Sequence, residues 1–209
     1  MKDVIKILKS INAIVTNSHF VYTSGRHGSV YVRKDLLYPH TKIASDVCRL
    51  IAQKFKNEKI DMVVAPALGG IVLSQWTAYH LSKIKRKEVL GLFTEKDEKA
   101  NQIFKRGYDQ FIKGKNVLIV EDLATTGGSV KKVISSVKKA GGKVVGVCVM
   151  VNRDPKSVTS KSIGFPLSFL GALEAESFNE ENCPLCKKNV PINTIVGHGK
   201  SFLARNKSI

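Results

Sequence analysis

Two adjacent carboxylates, Glu121 and Asp122, end an apolar run, Val117-Leu118-Ile119-Val120, and Thr125-Thr126-Gly127-Gly128-Ser129 follow shortly after. Val130, Val133, Ile134 and Val137 then recur at helical spacing. The pattern predicts a buried strand, a loop at its carboxyl end, and a helix that begins on the loop. Gly127 and Gly128 would let the backbone approach a ligand closely, and the free N–H groups of a helix start favour an anion. Thr125, Thr126 and Ser129 add hydroxyl donors. The acidic pair repels that anion, so it must face something else, such as sugar hydroxyls or a metal. Phosphate on one side and a polyol on the other describe a phosphorylated sugar. No Gly-x-x-x-x-Gly-Lys-Ser/Thr occurs, so this is not a Walker A loop.

A second cradle precedes it. Ala65-Pro66-Ala67-Leu68-Gly69-Gly70-Ile71 directly follows a short apolar strand at 62–65, and its glycines again open a helix. Further predicted strands cover 89–93, 117–120 and 144–151, with another at 166–173, and helices are expected over 38–55, 71–82 and from 130 to about 140. Strands alternating with helices indicate an α/β fold with a doubly wound, mostly parallel sheet, in which ligands bind at the carboxyl ends of the strands. Four such ends carry unusual chemistry: 66–70, 94–99, 121–129 and Arg153. They converge on one rim, and that convergence argues for a single site. The charged, aperiodic stretch 94–115 is too long for an ordinary connection and reads as a lid.

Three parts follow from this organisation. Residues 1–38 form an amino-terminal hood segment, 39–173 the α/β core with its lid at 94–115, and 174–209 a carboxyl-terminal extension that helps build the hood. Val4, Ile7, Leu8, Ile11 and Ile14 fall on one helical face interrupted by Lys6 and Lys9, an amphipathic helix over 1–15 rather than a signal peptide. No apolar run is long enough to span a bilayer, so a cytoplasmic location without membrane attachment is expected.

The chain has 209 residues, 43% of them hydrophobic and 24% charged, which suits one well-packed domain with a small accessory piece. Its formal net charge is +17, carried mostly by scattered lysines. A polyanionic substrate accounts for this better than nucleic acid, because no nucleic-acid fold signature accompanies the charge and arginine, the better reader of bases, is scarce.

Four cysteines do not make a disulfide framework in a chain of this length. Cys48 and Cys148 fall on predicted core positions. Cys183-Pro-Leu-Cys186 resembles half of a zinc knuckle, and His198 lies beyond it. A structural zinc ion held by Cys183, Cys186 and His198 is one reading and free thiols the other; a fourth ligand is not evident.

The stretch from Glu121 to Ser129 resembles the phosphoribosyl-pyrophosphate (PRPP) loop of the type I phosphoribosyltransferases, where a hydrophobic strand leads into Glu/Asp-Asp and then Thr-Thr-Gly-Gly/Ser. The cradle at 65–71 is similar to that family's pyrophosphate loop, Gly-Pro-Ala-x-x-Gly-Ile, which here comprises Ala67, Leu68, Gly69 and Gly70 and would carry a cis peptide between Ala67 and Leu68. Phe93-Thr94-Glu95-Lys96-Asp97-Glu98-Lys99 resembles the lid of the orotate members. On that register Lys96 and Lys99 match basic positions, Glu95 replaces an arginine and Asn101 a histidine. His19 to Arg26 resembles the amino-terminal segment of the same subfamily, with Thr23 standing where a lysine is usual, Arg26 as a substitute for it or as a structural turn residue, and Tyr31 as the aromatic that packs on the base. Arg153 matches an arginine that holds the pyrimidine, where a guanidinium can pair bidentately with a carboxylated ring.

The resemblance spans roughly residues 15 to 155. It implies transfer of a phosphoribosyl group from PRPP to a nucleobase, orotate first, giving orotidine 5'-monophosphate and pyrophosphate. Thr125 to Ser129 would hold the 5-phosphate, Glu121 and Asp122 the ribose hydroxyls, and Lys99 would act in catalysis from the neighbouring subunit of a homodimer, with Mg2+ accompanying PRPP. A purine- or uracil-type transferase, and a PRPP-sensing regulator that binds nucleic acid, are the rival readings.

Overall fold

The computed structural model describes residues 3–206. Its first elements are short. Helix α1 (Val4–Ser10) is capped by Asp3, whose carboxylate accepts the Ile5 N–H, and buries Val4 and Leu8. The helix ends earlier than the periodicity suggested, because Ile14 turns into strand β1; Met1 and Lys2 lie outside the described residues. The turn-rich stretch that follows folds into two small antiparallel pairs. Strand β1 (Ile14–Val15) pairs with β4 (Tyr31–Val32), and β2 (Phe20–Val21) with β3 (His27–Gly28). This is the hood.

The core alternates as expected. Helix α2 (Thr41–Lys54) leads to β5 (Met62–Pro66), then α3 (Gly69–Lys85), β6 (Leu90–Lys96), β7 (Gln102–Ile103), β8 (Asn116–Ala124), α4 (Gly128–Lys139), β9 (Lys143–Asn152), α5 (Ser160–Ile163) and β10 (Leu167–Ala172). The sheet order is β10-β9-β8-β5-β6-β7, parallel throughout except that β7 folds back antiparallel on β6. Short helices α6 (Pro184–Lys187) and α7 (Gly199–Asn206) belong to the carboxyl-terminal extension.

Both sheet faces are covered, which is why the central strands read as unbroken apolar runs. On one face α4 sets Val130, Val133, Ile134 and Val137 against Met62, Val64, Val117 and Ile119. On the other, α2 and α3 pack Ile51, Leu73 and Leu81 against Val63, Leu118 and Val120. Each such side chain contributes roughly 1.5–3 kcal/mol by leaving water. Cys48 and Cys148 belong to this second layer and are wholly buried, as expected.

Two elements differ from the sequence reading in ways that matter for the site. Strand β8 does not stop before the acidic pair but runs through it to Ala124, because β9 continues alongside and pairs Glu121 with Val149 and Ala124 with Asn152. The stretch 94–115 is also more ordered than a lid without secondary structure. It forms the β6–β7 hairpin and a 3-10 turn at Tyr108–Phe111. Buried Thr94 donates to Gln102 across the hairpin at 2.8 Å, and Lys132 of α4 donates to the Ala100 carbonyl at its tip.

Candidate active site

Because β8 is extended through Glu121 and Asp122, the two carboxylates leave on opposite faces of the sheet. Both are buried, at 5% and 1% exposure. Glu121 lies on the side of the 125–129 loop, where it helps line a cavity of about 130 Å3 with Thr125, Thr126, Gly127, Gly128 and Ser129. Asp122 lies on the other side, where Lys34 Nζ donates to its Oδ1 at 2.9 Å and Tyr38 Oη to its Oδ2 at 2.8 Å.

The loop's geometry follows from its glycines. Gly127 caps α4 with φ of +72°, a conformation that disfavours any side chain, and a Cβ there would fall 2.6 Å from Ile163 Cδ1. Ile163 is held in place by α5, whose capping box joins Thr159 and Ser162. The amino-terminal turn of α4 therefore opens toward the cavity, with the Gly128 N–H turned to the Thr126 hydroxyl at 3.4 Å and the exposed hydroxyl residues Thr125, Thr126 and Ser129 around it.

The second cradle meets the acidic pair directly. The Ala67–Leu68 peptide is cis, as the resemblance implied, and Ala67 N–H donates to the Thr94 carbonyl at 2.7 Å, fastening the loop to β6. A Cβ on Gly69 would lie 2.2 Å from Tyr38 Oη and 2.4 Å from Asp122 Oδ2, so the backbone here touches the Asp122 cluster. Ala67, Leu68 and Gly69 line a cavity of about 470 Å3 together with Lys34, Asp35, Glu95 and Lys96. Its volume admits an anion larger than a single phosphate, with Lys34 and Lys96 as the cations at its edge.

Electrostatics sort the charged groups. Burial, and after it the Asp122 charge, hold the Glu121 carboxyl well above the usual glutamate range. At Lys34 burial opposes the charge, but Asp122, assisted by Glu121 and Asp35, outweighs it and raises the ammonium pKa. Tyr38 is driven upward by burial first and Asp122 second, so its phenol stays a donor.

A carboxyl whose pKa is higher in the folded than in the unfolded chain binds its proton more tightly when folded. The stability it contributes is complete below the ordinary glutamate pKa of about 4.3 and is lost as pH rises through the folded value. Glu121→Gln removes that loss. The variant should unfold at a higher temperature than the parent at neutral pH, by ~2–4 °C for each kcal/mol gained in a chain of this size. The difference should close at about pH 4. Calorimetry across that range checks it, and parallel curves for the two proteins would refute the assignment of Glu121.

The sequence-predicted base-binding residues separate into two groups. Arg153 is buried, sits 4.4 Å over the Tyr22 ring, and donates weakly from one terminal nitrogen to the Val30 carbonyl at 3.5 Å. Among the described residues its Nε has no hydrogen-bond partner. Tyr31 stacks on Tyr22 with centroids 6.4 Å apart, so Arg153, Tyr22 and Tyr31 form one assembly. Thr23 and Arg26 point elsewhere. Arg26 gives its guanidinium to Ser177 and to Asn179 Oδ1 at 3.2 Å. Thr23 Oγ1 meets His198 Nε2 at 3.0 Å.

In the hairpin, Lys96 borders both the 67–69 cavity and a second, open depression that Lys99 shares with Asp97, Glu98 and Lys105. Lys105 and Arg106 are engaged by Glu95, at 3.9 and 3.1 Å. Asn101 closes the turn by two hydrogen bonds to Asp97.

The expected Cys183, Cys186 and His198 grouping is corrected. His198 is held by Thr23, and the two cysteines instead face His19 and His27 of the hood. Burial and the neighbouring Cys183 push the Cys186 thiol up to about 11, the reverse of what a nucleophilic cysteine needs.

Sequence reasoning missed Lys34, Tyr38, Tyr22, His19 and His27 as functional candidates. The first three carry no motif of their own, but the hood histidines could have been paired with the Cys-x-x-Cys, since two cysteines need two more ligands to complete a tetrahedral site.

The family model for the phosphoribosyl transferase domain matches residues 34–164. An orotate phosphoribosyltransferase of Caldicellulosiruptor bescii is 38% identical over 190 residues, covering 90% of this chain and 93% of that protein. The solved structure of Mycobacterium tuberculosis orotate phosphoribosyltransferase in complex with PRPP has a TM-score of 0.60 at 20% identity, over 82% of this chain and 97% of that one. An adenine phosphoribosyltransferase from Thermoanaerobacter pseudethanolicus has a TM-score of 0.59 at 18% identity, over 79% and 99%. The two folds match about equally well, so the fold alone does not choose the base.

Proposed function

The chain belongs to the phosphoribosyltransferase family, and on that premise we propose that it transfers the 5-phosphoribosyl group of PRPP to orotate, releasing pyrophosphate and orotidine 5'-monophosphate. The observation that carries the reading is the contact of two anion cradles with one acidic pair. Glu121 borders the 125–129 loop, and Asp122 touches the loop at 67–70.

The residues divide the work as follows. Thr125, Thr126, Gly127, Gly128 and Ser129 bind the 5-phosphate, and Glu121 and Asp122 hold the ribose hydroxyls. Ala67, Leu68, Gly69 and Gly70, with Lys34 and Lys96, receive the pyrophosphate. A ring nitrogen of the base, its proton given up to solvent, bonds to C1 as the C1–oxygen bond to pyrophosphate breaks, and positive charge grows on the sugar while negative charge grows on the leaving group. Asp122 stabilises the first and the lysines the second. Magnesium, when bound, neutralises charge on the pyrophosphate. Both Asp122 oxygens already accept hydrogen bonds, from Lys34 and Tyr38, so substrate oxygens would chiefly hold the ion, with Asp122 beside them.

The base lies against the Arg153, Tyr22 and Tyr31 assembly, where the unpartnered Arg153 Nε can meet the orotate carboxylate. The 38% relative that bears the orotate name favours this base over a purine. The enzyme works as a homodimer in the cytoplasm. Among the described residues no helix is long and apolar enough to cross a membrane.

The test is a panel of bases incubated with PRPP and magnesium. Orotate should be consumed; turnover with adenine or uracil but not orotate would overturn the base assignment, and none with any base would overturn the enzyme reading. Lys99→Ala should lower kcat about 10²-fold, as loss of one leaving-group donor does. Mixing it with Asp122→Asn should recover up to about a quarter of parental activity if symmetric dimers exchange subunits and Lys99 serves the neighbouring site. An unchanged rate for Lys99→Ala removes that lysine from the mechanism.

A further inference from the structure

Four side chains from distant parts of the sequence point their ligand atoms at one buried spot. Hood residues His19 and His27 supply imidazole nitrogens, and Cys183 and Cys186 of the carboxyl-terminal extension supply sulfurs, all within 4.8 Å of one another. His19, His27 and Cys183 are fully buried. His19 Nε2 lies 2.9 Å from His27 Nδ1 and 3.7 Å from each sulfur, and His27 Nδ1 lies 3.3 Å from Cys186 Sγ. A tetrahedral zinc ion with its usual bond lengths sets two nitrogens about 3.3 Å apart, a nitrogen and a sulfur about 3.6 Å, and two sulfurs about 3.8 Å. The nitrogen–nitrogen distance of 2.9 Å and the nitrogen–sulfur distances of 3.3 to 3.7 Å are near those values, and the remaining two pairs lie within 4.8 Å.

The surroundings support the same arrangement. His19 donates from Nδ1 to the Val190 carbonyl at 2.8 Å, which leaves the Nε2 lone pair facing the cluster. This is the orienting bond that metal-ligating histidines commonly make. His27 presents Nδ1, while its ring stands edge-on to Phe202 and, among the described residues, its Nε2 has no hydrogen-bond partner. The backbone fixes both histidines to the segments that flank the cysteines. His27 and Phe178 exchange N–H···O bonds of 2.8 and 2.9 Å, and Asn193 donates to the His19 carbonyl at 2.7 Å. On the cysteine side, Pro184 opens α6 immediately after Cys183 and turns Cys186 back toward it.

We propose that His19 Nε2, His27 Nδ1, Cys183 Sγ and Cys186 Sγ form a structural zinc site that clasps the carboxyl-terminal extension onto the hood. Two thiolates and two neutral imidazoles cancel the charge of a divalent ion, so the site can stay buried without a further counter-ion. All four positions are taken by protein, so the ion has no open place for substrate and its role is to hold structure. The clasp bears on the base side of the active site. Beyond Cys186 the chain returns to the hood, where His198 N–H donates to the Val21 carbonyl and Gly197 packs against the Tyr31 ring.

Elemental analysis of protein purified without chelator, by mass spectrometry, is the direct test. About one zinc per chain is expected. Cys186→Ser and His27→Gln should lose the metal, and His198→Gln should keep it. Cobalt exchanged into the parent protein should show the visible bands of a tetrahedral site and a thiolate-to-metal band in the near ultraviolet. If the ligand variants fail to fold, a thiol-blocking mercurial should release zinc from the parent protein, and a chelator should lower its unfolding temperature. Protein that contains no metal after zinc-supplemented expression and shows no cobalt spectrum would overturn the proposal. So would a Cys183–Cys186 disulfide in the freshly purified chain, or full zinc content in both ligand variants. Because the site is separate from the PRPP loops, its metal content is measured whether or not the protein turns over orotate.

Discussion

Asp122→Asn should lower kcat for PRPP turnover about 10²–10³-fold, the scale on which loss of one preorganised electrostatic contact acts. The substitution keeps the shape of the side chain and most of its contacts. Tyr38 can still donate to the amide oxygen, while the Lys34 partner at 2.9 Å loses its charge complement. The Lys34 side chain is about a third exposed, so its ammonium stays hydrated and the fold should survive. What the variant lacks is the negative charge beside the sugar at the moment positive charge builds there, and a charge held in a dry site with fixed partners acts without reorganisation. KM for PRPP should therefore move less than kcat. Steady-state kinetics decide the matter, and a kcat within threefold of the parent would remove Asp122 from the transition state. Glu121→Gln should cost less activity, since burial already holds that carboxyl toward its neutral form.

The same contacts show which parts of the site could be read from sequence. The 125–129 loop was legible because its phosphate-binding parts are contiguous, and the cradle at 67–70 because glycines next to a strand end have few other uses. The cis peptide between Ala67 and Leu68 followed from the family pattern and is present. The partners of Asp122 were not legible. Lys34 and Tyr38 lie 88 and 84 positions away, and nothing periodic marks a residue whose role is set by where α2 and α3 pack.

Strand β8 is longer than its apolar run predicts, because charge does not end burial there. Instead, β9 continues beside it and the carboxylates are buried with partners. Glu95, which stands where the resemblance puts an arginine, pairs with Arg106 and Lys105, and Asn101 closes the hairpin turn. These local roles arise only once the β6–β7 register is known. His198 is the histidine nearest the Cys-x-x-Cys in sequence, whereas the fold brings His19 and His27 to the two sulfurs and leaves His198 with Thr23.

Gly69→Ala tests the contact between the two cradles, and its expected effect is of similar size, about a 10²-fold fall in kcat/KM for PRPP. Gly69 sits at the start of α3, where alanine is the better helix former, so backbone preference alone would make the change harmless or mildly favourable. Space decides the opposite. The new methyl would lie 2.2 Å from Tyr38 Oη, 2.4 Å from Asp122 Oδ2 and 2.9 Å from Tyr38 Cζ, all inside contact distance. Tyr38 and Asp122 cannot both stay, so their 2.8 Å hydrogen bond must open or the 67–70 loop must lift away from the carboxylate. Overpacking of this kind costs about 1–3 kcal/mol of stability. A second substitution separates the two routes. Tyr38→Phe removes the nearest obstructing atom, so Gly69→Ala with Tyr38→Phe should be less destabilised than the sum of the single variants. Strict additivity in thermal unfolding would mean that the loop, not the tyrosine, yields. Parental kcat/KM for Gly69→Ala would mean that the contact between the loop and Asp122 carries no part of PRPP binding or transfer.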